Sequence, residues 1–265
     1  MIRLGSLLAL DARLLAGRPL FRAALVLAAL LGGSAAASAE GSAYVRLARG
    51  LSVLLPLTAA FGALLGAASL PGDLQSGALR AVLLRPLPRT AIALSRAFWL
   101  VVAQAAIVLA GGLAAYLAAK SSAPFGAVLH GEGIEAVQLL SAAEVSEFAS
   151  RAVVLALPGL LAAPLIGFAV GAFLDDPAAA ALTALALVLG PILAGAVADM
   201  SFPFAPSAAG AEALSILAEL AEGVQTRQER LLMPEFAGEA IRTPFLFAFA
   251  ATVLASVRLS RRDVA

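Results

Sequence analysis

The residues best placed to do chemistry in this chain lie in one polar run between apolar stretches, Leu70–Thr90, whose core reads PGDLQSGALRAVLLRPLPR. Pro71 and Gly72 stop the preceding apolar segment, and Asp73 suits the N-cap of a short helix running to about Leu84. On that helix Leu74, Leu79, Val82 and Leu83 share an apolar face, with Gln75, Ser76 and Arg80 on the polar side. Arg85-Pro86-Leu87-Pro88 then enforces an extended exit, because each proline pushes the residue before it out of helix. The chemistry this allows is contact rather than catalysis: a short amphipathic helix with a stiff exit is a surface on which another protein can push. The plainer alternative is a basic loop held against anionic headgroups.

Catalytic groups are scarce elsewhere. There is no cysteine and a single histidine, His130, so disulfides, thiolate chemistry and cysteine-ligated metals are excluded. No G-x-x-x-x-G-K-[ST] loop is present, since the only lysine, Lys120, follows Ala119, and there is no G-x-S-x-G elbow. Asp175-Asp176-Pro177 reads as a turn that starts a helix. The chain is expected to be no enzyme and to carry no cofactor or metal of its own, and nothing in it points to nucleic acid.

The elements that must position the polar run are membrane spans. The 265 residues are 62% hydrophobic and 13% charged, with a mean hydropathy of +0.97. That is more apolar surface than a water-soluble domain of this length can bury. Six stretches are long enough to cross a hydrocarbon core about 30 Å thick: Leu20–Ala39, Gly50–Leu70, Ala97–Ala119, Ala152–Leu174, Ala178–Ala198 and Ile241–Val257, with Arg242 snorkelling at the end of the last. The expected architecture is therefore an all-α membrane domain filling residues 1–265. With both termini cytoplasmic, the inner segments carry eleven of the eighteen basic residues and five of the seventeen acidic ones, as the positive-inside rule requires.

Residues Met1–Arg18 read as an amphipathic helix at the inner membrane surface, with Leu4, Leu7, Leu8, Leu14 and Leu15 on one face and Arg3, Arg13 and Arg18 at the headgroups. A cleaved signal peptide ending at Ala37-Ser38-Ala39 is the competing reading, but its basic leader would be too long and would contain Asp11. Two extracytoplasmic loops follow. Residues 120–151 hold His130, Glu132, Glu135, Glu144 and Glu147 and a helix-like stretch near Ile134–Phe148. Residues 199–240 hold a clearer helix, from Ser207 to Glu222 with Gly223 as its stop. This second helix is either a lid or docking surface or a cover over the outer ends of the spans.

Within the spans, Gln104 is the only amide at depth, and it either bonds between helices or lines a path. No ionisable residue is expected near a span centre, which argues against an ion channel or proton-coupled carrier. Gly62-Ala-Leu-Leu-Gly66 and Gly167-Phe-Ala-Val-Gly171 are GxxxG seams, for a dimer interface or for internal packing. Pro158, Pro164 and Pro191 permit bends.

The run Asp73-x3-Gly77-x-Leu79-x3-Leu83-Leu84-x-Pro86-x2-Arg89 resembles the first cytoplasmic loop of ABC-2 type transporter permeases, the membrane-spanning subunits of ABC transporters. The tail Arg258-Leu-Ser-Arg-Arg-Asp-Val264 resembles the basic end after their sixth span. Asp73-Leu-Gln-x-Gly77 and Pro86-Leu-Pro88 are also similar to the membrane subunit of cytochrome c maturation haem exporters, from which the longer outer loops depart. The resemblance implies a permease in a bacterial plasma (inner) membrane, paired with a second permease copy or paralogue. Two separate ATPase subunits would bind ATP and Mg. It implies that Asp73, Gly77, Leu79, Arg80, Leu83, Leu84, Pro86 and Arg89 form the ATPase-coupling surface. The expected function is export of a lipid-like or amphiphilic substrate. The alternatives are a mechanical transmitter that passes ATPase-driven motion to an extracytoplasmic protein at residues 199–240, and a passive membrane scaffold.

Overall fold

Prolines and polar caps set where the helices begin. In the computed structural model, residues 4–75, 77, 88–130, 137–198, 205–224 and 227–261 are described. Helix α1 (Leu4–Gly17) is followed by α2 (Pro19–Ser38), whose first residue is a proline already fixed at a helical φ. The Ser42 side chain accepts from the Val45 N–H and starts α3 (Ala43–Ala67). A turn leads to the five-residue α4 (Pro71–Gln75), and α5 (Arg89–Ser122) starts directly after the extended Pro88.

The next segment departs from expectation. Residues 137–140 are not helical: β1 (Val128–His130) and β2 (Val137–Leu140) form an antiparallel hairpin, with Val128 opposite Leu140 and His130 opposite Val137. Helix begins only after Ser141, where Ser141 and Glu144 form a reciprocal capping box. From there α6 (Ala142–Phe173) runs unbroken, so the expected outer loop ends sooner and the helix is longer. It is followed by α7 (Pro177–Ala198), α8 (Ala208–Ala221), a 3₁₀ turn (Gln228–Leu232) and α9 (Pro234–Arg261). Helix α8 matches the helix read from Ser207, and Gly223 ends it with φ +88°, a left-handed conformation that favours glycine.

Among the described residues six helices are long and apolar enough to cross a membrane. All but the first are longer than the apolar runs alone: the third starts at Arg89, not Ala97, which places Arg96 inside it. In the bundle α2 lies along α5 and α3, α3 crosses α6, and α9 lies along α6 and α5, while α7 packs on α3 and α6. Helix α1 rests on α5, and α8 is wedged against α3 and α6 at the opposite end. The side chains turned outward are large and apolar, among them Leu109, Leu182 and Phe249, as expected of helices solvated by hydrocarbon.

Candidate functional site

Buried charge is rare in this fold, and it is concentrated where α1, the start of α2, the turn before α4 and the first turns of α5 converge. The buried polar side chains there are Asp11, Ser69, Asp73, Ser95 and Arg96, with Arg18 at their edge. Arg18 Nη2 donates to Asp73 Oδ1 at 2.7 Å and to the Ser69 carbonyl at 3.2 Å. Arg96 Nη1 donates to the same carbonyl at 2.8 Å and to Asp73 Oδ2. Arg96 Nε stands 3.7 Å from Asp11 Oδ1, and Ser95 donates its hydroxyl hydrogen to Asp11 Oδ2. Two guanidinium groups and two carboxylates thus balance to zero.

Burial acts on these charges unequally. Desolvation pushes the Asp11 carboxyl above its ordinary value, and the Ser95 bond and Arg96 charge only partly oppose it. Desolvation likewise lowers Arg18, against the pull of Asp73. Such a network is weak evidence of added stability, but losing one member strands the others without compensation. Its plain effect is to tie four separate segments together.

Asp73 was expected to cap a helix; instead it lies inside α4 and uses its carboxylate to hold two arginines. The expected helix to Leu84 is interrupted early, because Gly77 takes φ +75°. Leu79, Arg80, Leu83, Leu84 and Pro86 lie outside the described residues. Arg89, at the other end of that loop, donates through Nη1 to the Ser260 carbonyl at 3.0 Å and to that of Leu259 at 3.4 Å. Those carbonyls belong to the last described turn of α9, where the helix dipole attracts a cation. Both ends of the loop are therefore fastened, the first to α1, α2 and α5 and the second to α9.

A second feature sits deeper. The two GxxxG motifs meet each other where α3 crosses α6. A Cβ added at Gly66 would lie 2.0 Å from the Pro164 carbonyl oxygen, and one at Gly167 would lie 2.1 Å from that of Ala63. Gly171 faces Ala67 in the same way, and Gly62 faces Gln104 and Pro164. Gln104 is fully buried, and its Nε2 donates to the Thr58 carbonyl at 2.8 Å, joining α5 to α3. The seam is an internal contact in which backbones touch.

The opposite end carries exposed ion pairs. Arg227 contacts Glu219 and Glu212, Arg230 lies 3.2 Å from Glu212, and Arg49 lies 3.1 Å from Glu222. Helix α8 itself is held by its apolar face and by Gly210, which approaches the backbone of Ala156. Among the described residues no group of three or more His, Cys, Asp or Glu side chains could hold a metal ion.

Sequence reasoning picked out Asp73 and Arg89 but passed over Asp11, Arg18, Ser95 and Arg96 as one unit. One signal was present: Asp11 is the only acidic residue among the first 39, in a leucine-rich segment with arginines at its ends. Compared with known proteins, the chain matches no family model and no curated protein.

Proposed function

We propose that this chain is the membrane-spanning permease subunit of an ABC transporter, driven by ATP hydrolysed in a separate ATPase subunit. The observation that carries the reading is the anchoring of the two residues that flank 78–87, Asp73 and Arg89. Asp73 is held to Arg18 and Arg96, and Arg89 to the end of α9. Force applied between two such anchored flanks is passed to the helices that hold them. The resemblance of Asp73–Arg89 to the cytoplasmic loop of ABC-2 type permeases supplies the identity of the pushing partner. The loop end of the bundle is then cytoplasmic, with both termini, in a bacterial inner membrane. An amphiphilic cargo suits spans whose interior is apolar better than a small ion does.

A second reading has its own support. Helix α8 is packed on α3 and α6, so motion of that pair reaches the far surface. In this reading the chain transmits motion to an extracytoplasmic protein and carries no cargo.

The test is isolation of the tagged chain from its own cells in gentle detergent, with mass spectrometry of what accompanies it. A stoichiometric subunit bearing a Walker loop is expected, and Leu83→Asp should release it while leaving membrane insertion intact. Absence of any ATPase, even after cross-linking through the 73–89 loop, refutes the assignment. Stimulation of the ATPase by amphiphiles selects export, and stimulation only by an extracytoplasmic protein selects transmission.

A further inference from the structure

Beside Arg96 the polar network leaves a small cavity of about 20 Å³, walled by Asp11, Arg18, Ser69, Asp73, Arg96 and Trp99 together with leucines of α1 and α5. Three N–H groups on this wall have no hydrogen-bond partner among the described residues: Arg96 Nε, Arg96 Nη2 and Trp99 Nε1. All three donor atoms are buried, Arg96 being 5% exposed overall and Trp99 only partly buried, and the pocket opens on one side. Buried donors are almost always paired, and an unpaired one is costly. Something that accepts hydrogen bonds belongs there.

Size and charge select what it is. The cavity has room for about one water, which needs roughly 10–15 Å³. An anion would also satisfy donors, but the two arginines are already balanced by Asp73 and Asp11, and the Asp11 carboxylate faces the same space. Asp11 Oδ1, 3.7 Å from Arg96 Nε, stands beyond direct hydrogen-bond reach and is an acceptor to which a bridging molecule can donate. A molecule that both accepts and donates serves two of these donors and Asp11, leaving Arg96 Nε to its longer ion pair with Asp11; a halide cannot donate.

We propose that this cavity is a hydration site: one ordered water accepts from Arg96 Nη2 and Trp99 Nε1, donates to Asp11, and so fastens α1 to α5. The site stands on the fold alone and does not depend on the transporter reading.

Trp99 is the only tryptophan in the chain, so its signals report this site without interference. The full-length protein in lipid nanodiscs is examined by ultraviolet resonance Raman spectroscopy of the indole N–H. The expected result is a hydrogen-bonded indole, lost in Leu14→Phe, which fills the cavity with hydrocarbon, and kept in Asp11→Asn, which retains an oxygen for the water. An indole that reads as unbonded in the wild-type protein means a dry cavity and overturns the proposal. A hydrogen-bonded signal that persists unchanged in folded Leu14→Phe also overturns it. Replacing chloride by iodide gives a further check on the wild-type protein, needing no variant. Only collisional quenching of Trp99 is expected, and saturable quenching would assign the site to an anion instead.

Discussion

Gly66→Ala adds a single methyl group where α3 touches α6, and the structure sets what it must cost. The new Cβ would lie 2.0 Å from the Pro164 carbonyl oxygen and 2.7 Å from the Phe168 nitrogen, against a floor of 3.0 Å for real contacts. Both obstacles are backbone, so no side chain can swing aside, and the helices must part by about 1 Å. A gap of that size forfeits a quarter to a half of each contact across it. If the seam holds as many atom contacts as one buried leucine, the loss is roughly 3 kcal/mol. Better helix propensity of alanine returns up to about 1 kcal/mol, leaving a net loss of about 2. For a chain of this size that lowers the melting temperature by roughly 4–8 °C. The assay is thermal unfolding in mild detergent, with Gly190→Ala as the control, since a Cβ there meets nothing within 4 Å. If Gly66→Ala melts with the control, the two backbones are not in contact and the reasoning about the seam fails.

Other substitutions probe the same framework. Gly62→Ala should destabilise because its Cβ falls 2.6 Å from Gln104 Oε1, and its cost should shrink when it is measured in a Gln104→Ala background; additive losses in the double-mutant cycle would show the two are not in contact. Arg96→Met should cost about 3–5 kcal/mol by stranding buried carboxylates, and Arg18→Met less, because the Arg18 side chain is 18% exposed against 5% for Arg96. Equal losses in denaturant titrations would contradict that ranking. Asp11 gives a pH dependence of definite sign. Between the ordinary value of 3.8 and its raised native value, the folded protein holds this proton more tightly than the unfolded chain does. Its contribution therefore makes stability fall as pH rises through that window. Asp11→Asn should flatten that part of a melting-temperature profile; an unchanged slope would assign it to other groups.

The apolar runs made the six long helices readable, and Gly223 with the leucine periodicity made α8 readable, because these signals are local. The ends of the spans were less legible. Arg89–Arg96 looked like a polar approach to a span, yet the helix begins at Arg89, since Pro88 supplies a clean start and the arginines find partners within the protein. The stretch 137–140 was misread as helix because helix-compatible residues continue through Ser141, where the capping box starts a new element. The charge network was hidden for a different reason. Residues 11, 18, 73 and 96 come together only after four segments have packed, so no spacing in the sequence reveals them. Asp73 was singled out by its place in a loop, and its work turns out to be tertiary.

The position of the glycine seam along its helices has a mechanical corollary. Gly167 stands six residues from the end of α6 at Phe173 and twenty-five from its start at Ala142. At 1.5 Å per residue these arms are about 9 Å and about 38 Å. Two rods pinned so near one end behave as scissors with an off-centre pivot. A change of about 5° in their crossing angle moves the short ends by less than about 1 Å and the long ends by about 3 Å, a fourfold gain set by helix geometry. Helix α8 sits between the long blades, with Gly210 against Ala156. Opening the blades must therefore carry α8 with one of them or release it from both.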